Sequence, residues 1–170
     1  MGYYSLEPPI STSISAHPSP LLVTPSSPRR IREFVETLGK RFRRELDFDF
    51  VPFEASETPK SQGYVPYEVY LFHEVASDLF EFDKPVKHHC IGACGFRWAE
   101  WSNAPACWSL QWAWFHPYFR GRGHLSKAWP SFIQKYGNFH VQRPVSAAME
   151  KFLEKYHPLP ALKNKGAKGE

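Results

Sequence analysis

The sequence predicts a mixed α/β (α+β) fold, and three observations lead to that prediction. Apolar residues recur at helical spacing after residue 28. Three later segments are rich in aromatic, β-branched or small apolar residues, as strands are. A glycine-rich turn then joins the third of these segments to a second helical pattern. With 170 residues, of which 16% are aromatic, the chain has the length of a single domain and can bury its own core.

The two ends of the chain differ in composition from its middle. Residues 1–27 are rich in Ser and Pro, with one apolar cluster at residues 21–23. Such a segment buries little apolar surface, so we expect a flexible leader or a strand lying on the surface. Residues 28–158 form the predicted domain. Residues 159–170 carry several lysines, and we expect a basic, flexible tail.

The first predicted helix begins at Ser27-Pro28, with serine as the N-cap and proline at the first helical position. Its apolar stripe consists of Ile31, Phe34, Val35, Leu38 and Phe42, and its opposite face carries Arg29, Arg30, Arg32, Lys40, Arg41, Arg43 and Arg44. We interpret this basic face as solvated, because it lies opposite the apolar stripe. The net charge of the chain, +4, gives only weak support to nucleic-acid binding. A nucleic-acid-binding surface is the less favoured interpretation.

The remaining elements follow in order along the chain. Strands are predicted over residues 64–72, 90–96 and 108–115, and residues 102–105 form the turn of a hairpin between the last two. A second helix begins near His124 and contains Pro130, which should kink it. Residues 139–142 form a short strand, and Ser146 caps a last helix.

The segment Arg120-Gly121-Arg122-Gly123 predicts a site for a phosphorylated ligand. It lies between a predicted strand and a predicted helix. The first N–H groups of a helix lack partners within the helix, and the helix dipole adds positive charge at that end. Glycines allow a sharp turn and let an anion approach the backbone, while the two arginines add charge.

The order of these elements and the segment 120–125 resemble the GNAT (Gcn5-related) acyltransferase superfamily, whose acetyl-CoA signature follows the fourth strand. The resemblance implies a mostly antiparallel central sheet with helices on both faces, splayed at strands 4 and 5. It implies acetyl-CoA as the acyl donor and no metal. The residues that it places at the cofactor are Ala113, Trp114, Phe115, Arg120, Gly121, Arg122, Gly123, His124, Leu125 and Ser126.

The resemblance further implies an N-acetyltransferase, in which a primary amine attacks the thioester of acetyl-CoA directly in a ternary complex. Family members often use a tyrosine of the last helix to protonate the departing thiolate. Phe152 stands at that position here, so Tyr156 or water takes the role. Glu68 and Glu100 rank equally as the base that deprotonates the amine, and His73 is a further candidate.

Under this resemblance the acceptor would be a protein or a small molecule. The acidic residues between positions 45 and 83 would suit a cationic one. Two other functions stay open: a catalytically weak, GNAT-like module that binds CoA, suggested by Phe152 and by a fourth strand without a carboxylate, and a basic nucleic-acid-binding protein.

The histidines and cysteines at residues 88–94 have only part of the spacing of a zinc site, because no second ligand pair follows. We interpret Cys90, Cys94 and Cys107 as free thiols, typical of a reducing compartment. No apolar run approaches membrane-spanning length. We therefore expect a cytoplasmic protein that binds neither a metal nor a membrane.

Overall fold

The computed structural model describes residues 6–14 and 17–158; the predicted tail at 159–170 lies outside the described residues, as do positions 1–5 and 15–16 of the predicted leader. The described chain has a mixed α+β fold with three α-helices and a six-stranded, mostly antiparallel sheet, which confirms the predicted class. The strands are β1 (Ile10–Ser11), β2 (Leu21–Val23), β3 (Tyr67–Val75), β4 (His88–Ala99), β5 (Cys107–Phe115) and β6 (His140–Val141), and the helices are α1 (Arg29–Leu46), α2 (His124–Tyr136) and α3 (Ala147–Tyr156).

The sheet has the strand order β2-β3-β4-β5-β6, and β1 pairs with β4 beyond the end of β5. Every pair is antiparallel except β5 and β6. The first two strands both come from the predicted leader, at residues 1–27. The same segment places Ile14 and Val23 in the core, where neither is exposed to solvent. The leader is therefore part of the sheet over these residues.

Helices cover both faces of the sheet. On one face, the apolar stripe of α1 packs against β3, β4 and β5 through residues such as Val35, Leu38 and Trp112. On the other face, Phe132 of α2 and Leu153 of α3 pack against a second cluster from the same strands. This arrangement follows from the alternation of side chains along a strand, which sends neighbouring residues to opposite layers.

The start of α1 differs from the prediction. Pro28, not Ser27, occupies the N-cap position, and no side chain caps the helix there. The Ser27 hydroxyl instead accepts a hydrogen bond from the main-chain N–H of Thr24, at 2.9 Å. The turn before the helix therefore uses the serine that the sequence suggested as a cap.

The strand boundaries also differ from the prediction, while α2 begins near His124 as expected. The strand β3 begins three residues later than predicted, after Pro66, which has no N–H to give to a ladder. The strand β4 extends the predicted strand at both ends. Pairing with β1, β3 and β5 sets its length, and such long-range partners leave no local mark in the sequence.

The pairing of β5 is irregular on both of its edges. A bulge interrupts its ladder with β4, and its parallel pairing with β6 is short. Gly95 pairs with Trp112 and Phe96 pairs with Leu110, so that Gln111 has no partner in β4. On the other edge of β5, only Ser109 and Leu110 pair with β6. Beyond this point the two strands separate, and the rest of β5 pairs with β4 alone.

Candidate functional site

The connection from β5 to α2 is a compact turn. A single 3₁₀ turn, Pro117–Phe119, follows the strand, and two glycines then take left-handed conformations, Gly121 at φ 73° and Gly123 at φ 81°. Gly123 is also the N-cap of α2. Residues with a Cβ rarely adopt such φ angles, so the two glycines let the chain turn sharply into the helix.

The main-chain N–H groups of residues 121–126 form no hydrogen bond with any residue that the structure describes. The next amide, that of Lys127, makes the first helical bond, to the Gly123 carbonyl at 3.0 Å. The first turn of α2 contains no acidic residue. Unpaired donors at the positive end of a helix dipole are suited to an anion.

Arg120 is held by the protein itself. Its guanidinium forms two hydrogen bonds with the Glu45 carboxylate of α1, at 2.8 and 2.7 Å, and a third with the Phe115 carbonyl at 2.8 Å. The Trp114 indole also donates to Glu45, at 2.6 Å. The Arg120 guanidinium lowers the pKa of Glu45, partly against the effect of burial. Arg120 therefore fastens the turn to α1 and is not free for a ligand.

Two other cations at the turn have no carboxylate partner within residues 6–14 and 17–158. The Arg122 guanidinium lies 4.4 Å from the ring centroid of Tyr118. Lys127 is exposed, and a Cβ built on Gly123 would lie 3.7 Å from its Cε atom. His124 differs, because its Nε2 atom lies 3.0 Å from a carboxylate oxygen of Glu74 on β3. Arg122 and Lys127 thus leave positive charge available beside the unpaired amides.

The turn forms one wall of a cavity of about 490 Å³. All ten residues that the resemblance places at the cofactor line this cavity: Ala113, Trp114, Phe115, Arg120, Gly121, Arg122, Gly123, His124, Leu125 and Ser126. Side chains of α1 and α3 complete the wall, including Glu45, Met149 and Tyr156. The open edge of β5 and the unpaired amides of α2 therefore meet in the same space.

Tyr156, the candidate acid, lies in this cavity wall at the end of α3. Its side chain is partly exposed, and its ring packs against that of Phe152, with the centroids 4.6 Å apart. The Tyr156 hydroxyl makes no hydrogen bond with the described part of the chain. It is consequently available to a group bound in the cavity.

The three candidate bases lie elsewhere. Glu68 accepts a hydrogen bond from the Tyr136 hydroxyl at 2.7 Å and pairs with Lys135. Glu100 follows β4 and lies 3.3 Å from the Trp98 indole nitrogen. His73 is buried beside the N-terminal segment. None of the three lines the cavity.

Sequence reasoning missed Glu45 and Gln111. Glu45 looks like one more charged residue at the end of a basic helix, and its partner Arg120 lies 75 positions away in the chain. Gln111 is a neutral residue on a strand without a carboxylate, and no local signal marks the bulge that carries it. A carboxylate among basic residues at the helix end was the one available hint.

Two further cavities border β5 and β6. One of about 40 Å³ lies where β5 and β6 separate; Gln111 lines it, and it shares Leu46, Ala113 and Met149 with the larger cavity. Another, of about 600 Å³, lies at the hairpin end of β5 and is lined by Trp101, His140 and neighbouring residues. The latter contains none of the predicted site residues.

No group of three or more His, Cys, Asp or Glu side chains in the described residues is arranged to hold a metal ion. The three cysteines are free thiols, and burial raises the pKa of Cys90 to about 12 and that of Cys94 as well. Over the same residues, no helix combines the length and the apolar character needed to cross a bilayer.

The basic face of α1 is largely engaged within the protein. Arg29 pairs with Glu33 of the same helix at 3.0 Å, and Arg32 donates to the Ala55 carbonyl. Arg41 donates to the Glu7 carbonyl at 2.7 Å. The Arg41 and Arg32 contacts tie the helix to the N-terminal segment and to the loop that follows it.

Comparison with protein-family models and with curated proteins finds no match to this sequence.

Proposed function

We propose that this protein is a GNAT-type N-acetyltransferase, which transfers the acetyl group of acetyl-CoA to a primary amine. One observation carries the proposal: the unpaired amides of residues 121–126, the open edge of β5 and the Tyr156 hydroxyl line the same cavity. An anion, an acylated thiol and a departing thiolate would each find a suitable group there.

The diphosphate of acetyl-CoA binds over the turn in this proposal. The amides of residues 121–126 donate to its oxygens, and the dipole of α2 stabilises its charge. Arg122 and Lys127 supply the additional positive charge. Arg120 keeps its bonds to Glu45, and the turn is thereby ordered before the ligand arrives.

The acyl chemistry takes place along β5. The amine nitrogen attacks the thioester carbon, and a main-chain N–H of residues 113–115 stabilises the negative charge that develops on the carbonyl oxygen. The carbon–sulfur bond then breaks, and Tyr156 gives its proton to the thiolate. The amine loses its proton to water, because Glu68 and Glu100 lie outside the cavity.

The sheet is consistent with the superfamily. It is mostly antiparallel with helices on both faces, and β5 and β6 stand where the resemblance implies the superfamily's fourth and fifth strands. Their separation beyond Leu110 matches the splay that the resemblance implies. The fold therefore supports the assignment that the motif suggested.

A catalytically weak module that binds CoA is the second candidate. The position of the candidate bases favours it, because Glu68 and Glu100 are engaged away from the cavity and Glu45 is paired with Arg120. Such a module would bind acetyl-CoA at the same turn and transfer the acetyl group slowly.

Titration calorimetry with acetyl-CoA tests the cofactor site. We expect the natural protein to bind, and Gly123→Trp to lose measurable binding because the indole would lie across the amides of the turn. Gly63→Trp is the matched control: Gly63 also has a positive φ, of 70°, and nothing lies within 4 Å of a Cβ built there. Both variants bear the same backbone strain, so only the control should bind like the natural protein.

No heat with the natural protein would end the proposal, and equal losses in both variants would show a general effect of strain. Release of free CoA thiol in the presence of lysine-bearing peptides, spermidine or kanamycin then separates the two candidates. A transferase releases thiol with at least one of these amines faster than without any. The weak module binds acetyl-CoA and releases no additional thiol.

A further inference from the structure

Three polar side chains form a hydrogen-bonded chain at the point where β5 and β6 separate. The Gln111 Nε2 atom donates to the Ser109 hydroxyl at 3.0 Å. The same hydroxyl lies 3.0 Å from the His140 Nδ1 atom on β6. Ser109 is fully buried, whereas Gln111 is only half-buried and lines the small cavity that adjoins the cofactor cavity.

This chain leaves one end of the Gln111 amide free. A hydroxyl has one hydrogen to donate and two lone pairs that accept. Ser109 can therefore accept from Gln111 and also bond His140 Nδ1, as donor or as acceptor according to the tautomer of the imidazole. In the structure the amide Nε2 faces Ser109, and Oε1 is left as a hydrogen-bond acceptor.

The free oxygen belongs to a residue of the small cavity that adjoins the cofactor cavity. Gln111 is the bulge residue, two positions before Ala113, where the cofactor cavity begins. No hydrogen bond to Oε1 comes from residues 6–14 or 17–158. The rest of the small cavity is mainly apolar, with Phe42, Leu46 and Met149 in its wall. In such surroundings a single polar group has a large influence on what binds.

We propose that Gln111 Oε1 accepts a hydrogen bond from the N–H of the amine acceptor, and that Ser109 and His140 are positioning residues that set the direction of its amide. This inference rests on the proposed function. A primary amine keeps one N–H after it is acylated, so it can remain bonded to Gln111 throughout the reaction. An alcohol or a secondary amine loses its last hydrogen when it is acylated. Gln111 therefore selects primary amines.

Two stable CoA conjugates test this without knowledge of the natural acceptor. In the first, the CoA sulfur carries CH₂–CO–NH–CH₃; in the second, CH₂–CO–O–CH₃ replaces the N–H by an oxygen of similar size. Calorimetry should show the amide conjugate binding about fivefold to tenfold more tightly than the ester, the typical effect of one hydrogen bond together with repulsion between two oxygens. Free CoA serves as the reference for the cofactor site.

The variants are chosen to separate hydrogen bonding from packing. Gln111→Met keeps the side-chain length but has no amide, and the preference should disappear while free CoA binds as before. Gln111→Glu keeps an oxygen acceptor and should retain the preference, which also covers the case in which the methionine variant does not fold. Ser109→Ala should reduce the preference by releasing the amide. Gln134→Met is the matched control on the exposed face of α2 and should change nothing.

The outcomes distinguish this inference from the proposed function. Free CoA binding with equal affinity for amide and ester in the natural protein would overturn the role of Gln111 and leave the cofactor site standing. A preference that persists in Gln111→Met would also overturn it. Absence of binding by free CoA and by both conjugates would overturn both proposals.

Discussion

Tyr156 and Phe152 show how one helical turn separates two chemically different residues in the same wall. They lie four positions apart on α3, so their rings face the same side and pack together. Both line the cofactor cavity. Phe152 cannot give a proton, whereas Tyr156 has a phenol hydroxyl that is partly exposed to the cavity.

We expect Tyr156→Phe to lower the turnover of acetyl-CoA by about 100-fold, the lower end of the usual contribution of a general acid, and to leave acetyl-CoA affinity nearly unchanged. The reason is that only the hydroxyl is removed and the ring contact with Phe152 stays. Initial rates of CoA-thiol release with the most active amine, together with calorimetry, provide the measurement. Tyr64→Phe, in the loop before β3, is the control. An unaltered rate in Tyr156→Phe would assign the proton transfer to water.

At the scale of elements, α3 is a short helix that carries part of the candidate site. Its ten residues are too few for a stable isolated helix, so packing and capping must support it. The Ser146 hydroxyl accepts a hydrogen bond from the Met149 N–H at 3.1 Å, as the sequence predicted. Phe152 packs on Trp129 of α2, with ring centroids 4.9 Å apart.

Ser146→Ala should therefore destabilise the protein by about 1 kcal/mol, the usual value of an N-cap. For a chain of this length the melting temperature should fall by roughly 2–4 °C. Thermal unfolding followed by circular dichroism measures the change. Ser131→Ala on the exposed face of α2 is the matched control and should stay within about 0.5 kcal/mol of the natural protein. Identical melting of the two variants would mean that the cap contributes nothing.

At the scale of the whole molecule, the N-terminal segment is fastened to the sheet around His73. The main-chain N–H of this buried histidine donates to the Ser19 hydroxyl at 3.1 Å, and its ring lies 5.2 Å from that of His88. Burial lowers the pKa of His73 below its ordinary value of 6.5; the Pro18 carbonyl partly opposes this shift, and His88 adds to it. A proton on His73 would thus be unfavourable in the folded state.

This shift predicts how stability depends on pH. The unfolded chain binds a proton at His73 near pH 6.5, while the folded protein resists it, so stability should decrease as the pH falls through that range. Melting temperatures between pH 7.5 and 5.5 measure the decrease. His73→Asn cannot titrate but still offers a donor to the Pro18 carbonyl, and its decrease should be smaller. An equally steep decrease in the variant would assign the effect to other groups.

The local order of elements could be predicted because each has a short-range cause. The stripe of α1, the glycines before α2 and the Ser146 cap are set by residues within a few positions of one another. The sequence also indicated that residues 113–126 belong together, since a strand, a turn and a helix in succession must be neighbours in space. These predictions were right in type, with strand ends displaced by up to three residues.

The bonds across the chain could not be predicted in this way. The Glu45–Arg120 pair, the addition of β1 and β2 to the sheet and the engagement of Glu68 by Tyr136 all join residues far apart in sequence. Each depends on the relative placement of packed layers, which a local pattern does not contain.

The sequence alone determined that a glycine-rich turn with unpaired amides follows an aromatic strand, because backbone preference and helix geometry are local properties. Only the tertiary structure decided that Glu45 forms an ion pair with Arg120, that Gln111 lies at a bulge and that the candidate bases lie away from the cavity. Strand register and side-chain contact arise when separate elements pack together, and at that level the chemistry of the site is set.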